Sequence, residues 1–284
     1  IRAGWQIRRF DRGSDNLDRL AEQADVIVNG WNPAYPDWAA QLPGLHESVI
    51  RAARKSGATV ILPGNVYVFG AETAPPWSEH SPHQATNLLG RLRIGMEGAY
   101  REAGVRTILL RAGDFIDTRA SGNWFDMIMI KSLAKGRFAY PGDPEIAHSW
   151  AYLPDLARAA VELSEKRRTL PHFCDIPFPG YTLSGRDLAD ILASVTNKPV
   201  HLRRMNWLPL HFARPVWPMA RFLLEMRYLW NTAHALDGTL FDKYLPGFWH
   251  THPEQALATA IPDALVERQI DPDQPVPAGG QGRL

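Results

Sequence analysis

The sequence predicts an α/β fold in which helices cover both faces of a parallel sheet. Three observations predict it. Short apolar runs with β-branched residues, such as Val26-Ile27-Val28 and Val60-Ile61-Leu62, suit buried strands. They alternate with longer stretches whose apolar residues recur at helical spacing, and that alternation builds parallel sheets. The 284 residues, 45% hydrophobic and 21% charged, can bury the core of one large domain or of two intimate ones.

In chain order, 1–6 reads as the end of a helix entering a strand over 5–10. A short helix follows over 17–24, with Leu17, Leu20 and Ala21 as its apolar stripe, and then a strand over 25–30. Residues 32–41 carry prolines and tryptophans and read as a loop. The helix over 45–56 is amphipathic through Val49, Ile50 and Ala53, and Gly57 caps it. The strand at 60–62 ends at Pro63-Gly64-Asn65, because proline lacks an amide donor and glycine relaxes the backbone. After a polar loop over 75–86, Leu88, Leu89, Leu92 and Met96 form one stripe of a helix over 88–99. A strand over 105–111 and a helix opening at 121–125 and running to about 134 come next, then a turn-rich loop over 138–144. Asp155 caps a helix over 156–163, 171–177 is a strand, and Ser184 with Asp187 starts a helix ending near 195. A strand at 199–202 feeds the proline- and tryptophan-rich 207–217, and a helix follows over 219–230. The Pro/Gly/Gln-rich residues 271–284 lack the apolar content for a core and read as disordered.

Composition excludes several classes. The formal charge is +1, from 31 basic and 30 acidic residues, and no basic stripe marks a nucleic-acid footprint. No apolar run is long enough to span a bilayer and no signal peptide is visible, so no membrane partner and a cytoplasmic location are expected. The single Cys174 excludes an intramolecular disulfide and fits a reducing compartment. His80 and His83 lack both helical metal-site spacing and a supporting ligand cluster, so no metal is expected.

Residues 59–100 resemble the core of the extended short-chain dehydrogenase/reductase family, the NAD-dependent epimerase/dehydratase group. That family writes Ser-Ser-x-x-Val-Tyr-Gly after its strand and Tyr-x-x-x-Lys-x-x-x-Glu on its helix. Here Val68-Phe69-Gly70 stands for Val-Tyr-Gly, and Arg93 and Glu97 for the Lys and the Glu. Leu89 takes the position of the catalytic tyrosine and Asn65 that of the serine or threonine. His148 and Tyr152 fall at the Arg and His of the family's Arg-Asp-x-x-His-Val-x-Asp-x-Ala. Leu245-Pro246-Gly247-Phe248 is similar to its Leu-Gly-Phe-x-Pro block. The resemblance implies a Rossmann-type doubly wound parallel sheet over 1–170 with a smaller C-terminal substrate lobe over 171–270, to which 116–140 contributes. It also implies a first βα unit with a Gly-x-x-Gly-x-x-Gly turn; that turn is not among these residues, and the chain is expected to lack its true N-terminus.

The cofactor implied is NAD or NADP, and the partner a small polar carbonyl or hydroxyl substrate. Asp11 and Arg12 end the second strand, where an acid takes the adenosine ribose and an arginine the 2′-phosphate of NADP. The resemblance implies that Asn29, Gly30 and Trp31 lie against the adenosine, Ala112 and Gly113 near the nicotinamide, and Asn123, Trp124 and His148 toward the substrate. Asn65 would polarise the substrate oxygen and Arg93 would hold the ribose. Leu89 has no ionisable group, so the proton donor is sought among Tyr67, Asp114, His148 and Tyr152. Tyr67 is two residues past Asn65, on the same side of extended chain. The rival readings are a non-catalytic dinucleotide sensor and a scaffold that binds no nucleotide. Relatives often form homodimers through the helix bearing Leu89, although its apolar residues equally suit a core.

Overall fold

The computed structural model describes residues 10–11 and 16–267. The strand expected over 5–10, Arg12 and the tail 271–284 lie outside the described residues, apart from Phe10. Asn16 caps a single-turn helix α1 (Leu17–Leu20), accepting from the amides of Asp18 and Arg19. Strand β1 (Val26–Val28) leads into α2 (Trp38–Ser56), which begins inside the stretch read as a loop and ends at Gly57, φ +74°. Then come β2 (Thr59–Asn65), α3 (Leu88–Glu102) and β3 (Thr107–Ala112). The register pairs Val60 with Thr107 and Asn65 with Ala112.

Alternating side chains explain why both faces are covered. Val60 and Leu62 of β2 and Leu109 of β3 join Val49, Ile50 and Ala53 of α2 and Met96 and Tyr100 of α3. Ile61, Ile108 and Leu110 point the other way. They meet Leu156, Ala159 and Leu163 of a helix described next. The sheet is therefore doubly wound, as expected.

Strands β4 (Asp114–Ile116), β5 (Arg137–Tyr140) and β6 (His148–Tyr152) precede α4 (Leu153–Glu165). Next are β7 (Phe173–Pro177), β8 (Tyr181–Leu183), α5 (Gly185–Thr196) and β9 (His201–Arg204). The chain closes with α6 (Leu208–Ala213), α7 (Pro218–Glu225), α8 (Thr239–Tyr244) and α9 (Pro253–Ala260). The main sheet is parallel, in the order β1-β2-β3-β7, and takes its last strand from beyond residue 170. A second sheet runs β4-β6-β8, and β5 pairs with β9. An added Cβ at Gly113 would sit 2.0 Å from the carbonyl oxygen of Ser149, so only glycine lets the chain leave β3 this close to β6.

Three sequence expectations are corrected. Residues 137–140 are a strand rather than part of a turn-rich loop, because β9 supplies a ladder from some sixty residues away. The helix expected from 121 to 134 is two short pieces, a π-helical turn over Phe125–Met129 and a 3-10 turn over Leu133–Lys135. The helix expected over 219–230 stops at Glu225 and continues as a 3-10 turn, Met226–Asn231.

Candidate active site

Strand β2 delivers the first residues. The side-chain oxygen of Asn65 accepts from the Tyr67 amide at 3.1 Å, which folds Val66–Val68 into a 3-10 turn. That turn aims Tyr67 at Tyr35, and the two phenol oxygens are 2.7 Å apart. Tyr35 sits in the turn before α2, in a segment without a motif. Trp38 packs edge-on to Tyr35 and parallel to Tyr67, with its indole N–H donating to the Pro33 carbonyl at 2.9 Å.

Arg93 of α3 closes the cluster. Its guanidinium carbon lies 4.8 Å from the Trp38 ring, and its buried Nε has no hydrogen-bond partner. Burial pushes the Tyr67 phenol well above its usual range and lifts Tyr35 as well. Asp114 pushes both phenols in the same direction, while Arg93 opposes it.

Leu89 does not face an open hollow. It is fully buried among Trp38, Val68, Phe69, Met226 and Leu229. Its backbone N–H donates to the Glu225 carboxylate at 2.9 Å, so the end of α7 caps the start of α3. Asn87, at the N-cap position, makes no side-chain cap bond.

Behind this cluster Arg111 is fully buried and fully engaged. It donates to Asp175 (Nε to Oδ1, 3.1 Å), to Glu97 (Nη2 to Oε2, 2.8 Å) and to the Asn65 carbonyl at 2.6 Å. Ligand atoms of His83, Glu97 and Asp175 lie within 4.8 Å of one another. Arg111 already neutralises both carboxylates, which works against a metal cation there.

Other candidates are placed elsewhere. Asp114 Oδ2 is 2.7 Å from His148 Nε2, and the His148 ring stacks on Trp230 at 4.4 Å with its edge toward His234. Tyr152 instead bonds Thr259 of α9 at 2.8 Å and packs in the C-terminal lobe. Trp124 packs against Trp207 and Trp230, while Asn123 holds the amide of Asp126 and the hydroxyl of Ser121. Asn29 is committed to structure: it is buried, donates to Tyr100 and His46, and accepts from the Trp31 amide. Gly30 and Asp11 are exposed, Trp31 stacks on Phe10, and Ala112 is buried in the sheet. Neither motif nor spacing marks Tyr35, Trp38 or Glu225 as site residues. A shallow hollow of about 510 Å³ is lined by Pro144, Glu145, Arg186, Asp190, His201 and Arg204, and none of the candidate residues lines it.

No family model matches the sequence, and no curated protein matches it. Solved structures match over most of the chain. A UDP-galactose 4-epimerase is 17% identical, with a TM-score of 0.61 over 86% of this chain and 80% of its own. The Bordetella bronchiseptica enzyme WbmH in complex with NAD+ is 15% identical, with a TM-score of 0.65 over 86% and 77%. A GalE-like L-threonine dehydrogenase from Cupriavidus necator is 16% identical, with a TM-score of 0.65 over 87% and 86%. The chain therefore has the fold of the NAD-dependent epimerase and dehydratase enzymes, the fold that the motifs of 59–100 imply.

Proposed function

We propose that the chain is an NAD(P)-binding oxidoreductase of the epimerase/dehydratase type, acting on a small polar carbonyl or hydroxyl substrate. In this reading a phenol pair at the end of β2 stands in for the tyrosine replaced by Leu89. The observation that carries it is the 2.7 Å Tyr35–Tyr67 bond beside Asn65 and within the field of Arg93.

The residues fit the ribose end of a dinucleotide. A buried Arg93 Nε without a partner is a donor that a ribose hydroxyl would satisfy. Bound there, a nicotinamide would supply hydride transfer. Asn65 has its oxygen engaged by Tyr67, so its amide N–H remains to orient a substrate oxygen. Tyr67 is neutral at pH 7 and donates its proton to that oxygen; half-buried Tyr35, hydrogen-bonded to it, replaces the proton and is itself reprotonated from solvent. Arg93 contributes charge and no protons. Asp114 and His148 form a second hydrogen-bonded pair where β4 and β6 begin.

The test is titration of the protein with NADH and NADPH, followed by a screen of ketones, aldehydes and sugar nucleotides for cofactor oxidation or reduction. Tyr67→Phe is expected to lower turnover by about a hundredfold or more with dinucleotide affinity unchanged. Absence of dinucleotide binding overturns the reading. A second reading, a dinucleotide-sensing regulatory protein without turnover, is favoured by the packing of Met226 and Leu229 over Leu89. Binding of dinucleotide with no turnover of any substrate in the screen selects it.

A further inference from the structure

Four of the nine exposed large hydrophobic residues among those described fall within ten consecutive positions. Leu208 is 60% exposed, Phe212 81%, Val216 85% and Trp217 47%. Leu208, Phe212 and Val216 are spaced by four, so they form one stripe along α6 and the turn after it. The opposite side of this segment is held down. The Trp207 indole N–H donates to the Pro141 carbonyl at 2.6 Å, and Leu210 packs on the C-terminal core. Anchoring on one side presents the stripe rigidly outward on the other.

Basic residues flank the stripe in sequence. Residues 201–230 contain Arg203, Arg204, Arg214, Arg221 and Arg227 against one acid, Glu225, in a chain whose net charge is +1. All five arginines are exposed. Arg204 pairs with Asp143 and Arg227 lies over Trp207, while Arg203, Arg214 and Arg221 make no ion pair among the described residues. Glu225 is turned inward onto α3.

We propose that the exposed residues Leu208, Phe212, Val216 and Trp217, with the exposed arginines that flank them in sequence, dock the protein onto an anionic lipid surface. The pattern is that of a segment lying in the plane of the interface, with Phe, Leu and Trp entering the headgroup boundary and basic side chains on the acidic lipid. Nothing spans: no helix among the described residues is long and apolar enough to cross a membrane. A second copy of the chain fits poorly, because a twofold contact would set the same arginines against one another. This reading uses none of the candidate active-site residues and stands whether or not the chain turns over a substrate.

The test is co-sedimentation of the protein with two kinds of vesicle, phosphatidylcholine alone and phosphatidylcholine with about a third phosphatidylglycerol. The expected result is binding to the anionic vesicles only, weakened by salt. The double variant Phe212→Asp/Val216→Asp lowers the partition coefficient by about tenfold or more. Arg214→Glu/Arg221→Glu lowers it similarly and flattens the salt dependence. Both pairs are exposed, so thermal unfolding followed by circular dichroism is expected to stay unchanged. Trp217→Phe removes a quenching signal seen with bromolipid vesicles. Failure to sediment with anionic vesicles overturns the proposal. So does binding that the variants leave unaltered, or a protein dimer in light scattering that Phe212→Asp dissolves, which would make the stripe a contact between copies.

Discussion

Arg93 and Arg111 belong to one neighbourhood and are treated in opposite ways. Arg111 is fully buried, and two carboxylates and a backbone carbonyl use its donors. Arg93 lies over an indole, donates to Met96 Sδ at 3.5 Å, and has a buried Nε without a hydrogen-bond partner. Burial lowers the Arg93 pKa, whereas Asp175 and Glu97 more than reverse that for Arg111. A satisfied buried arginine is a structural strut. An unsatisfied one is either a cost the fold tolerates or a donor kept for a ligand.

Mutation of Arg111 gives the largest expected effect. Arg111→Met leaves Glu97 and Asp175 buried without a counter-charge and is expected to lower stability by about 3–5 kcal/mol, read by urea unfolding. A loss below about 1 kcal/mol would mean that the two carboxylates are not held by this residue.

The next effect is in pH. His46 is kept neutral in the fold, its pKa pushed from 6.5 down to about 4 by burial first and by the charge of Arg93 second. The unfolded chain takes up a proton near 6.5, so this contribution is complete above that pH. It is lost as pH falls toward 4 and amounts to at most about 3 kcal/mol. Comparing wild type with His46→Gln by urea unfolding between neutral and mildly acidic pH isolates it. Parallel pH dependence in both proteins would sink the assignment.

The smallest effect on stability is the sharpest for function. Arg93→Met removes a desolvated charge and is expected to leave the unfolding free energy within about 1 kcal/mol, while weakening NADH or NADPH binding by tenfold or more. Fluorescence titration reads the second quantity. A variant that loses stability like Arg111→Met and binds dinucleotide unchanged would erase the distinction between the two arginines.

Much of this was legible from residue order. The apolar run before Pro63 and the stripe through Leu88, Leu89, Leu92 and Met96 fixed the strand and helix that carry Asn65 and Arg93, because both signals are local. What stayed hidden depends on distant partners. The strand Arg137–Tyr140 is followed by Pro141-Gly142 and looked like a turn until β9 paired with it. Tyr35 stands next to a proline in a segment without periodicity, and only folding brings it to Tyr67, 32 residues on. The carboxylate that finishes α3 comes from Glu225, 136 residues after Leu89. No spacing rule reaches that far.

That long-range cap makes α7 a latch. If α7 lifts, Leu89 loses its cover of Met226 and Leu229, and the first turn of α3 loses its only side-chain acceptor among the described residues. What is bared is then apolar surface beside the positive end of a helix.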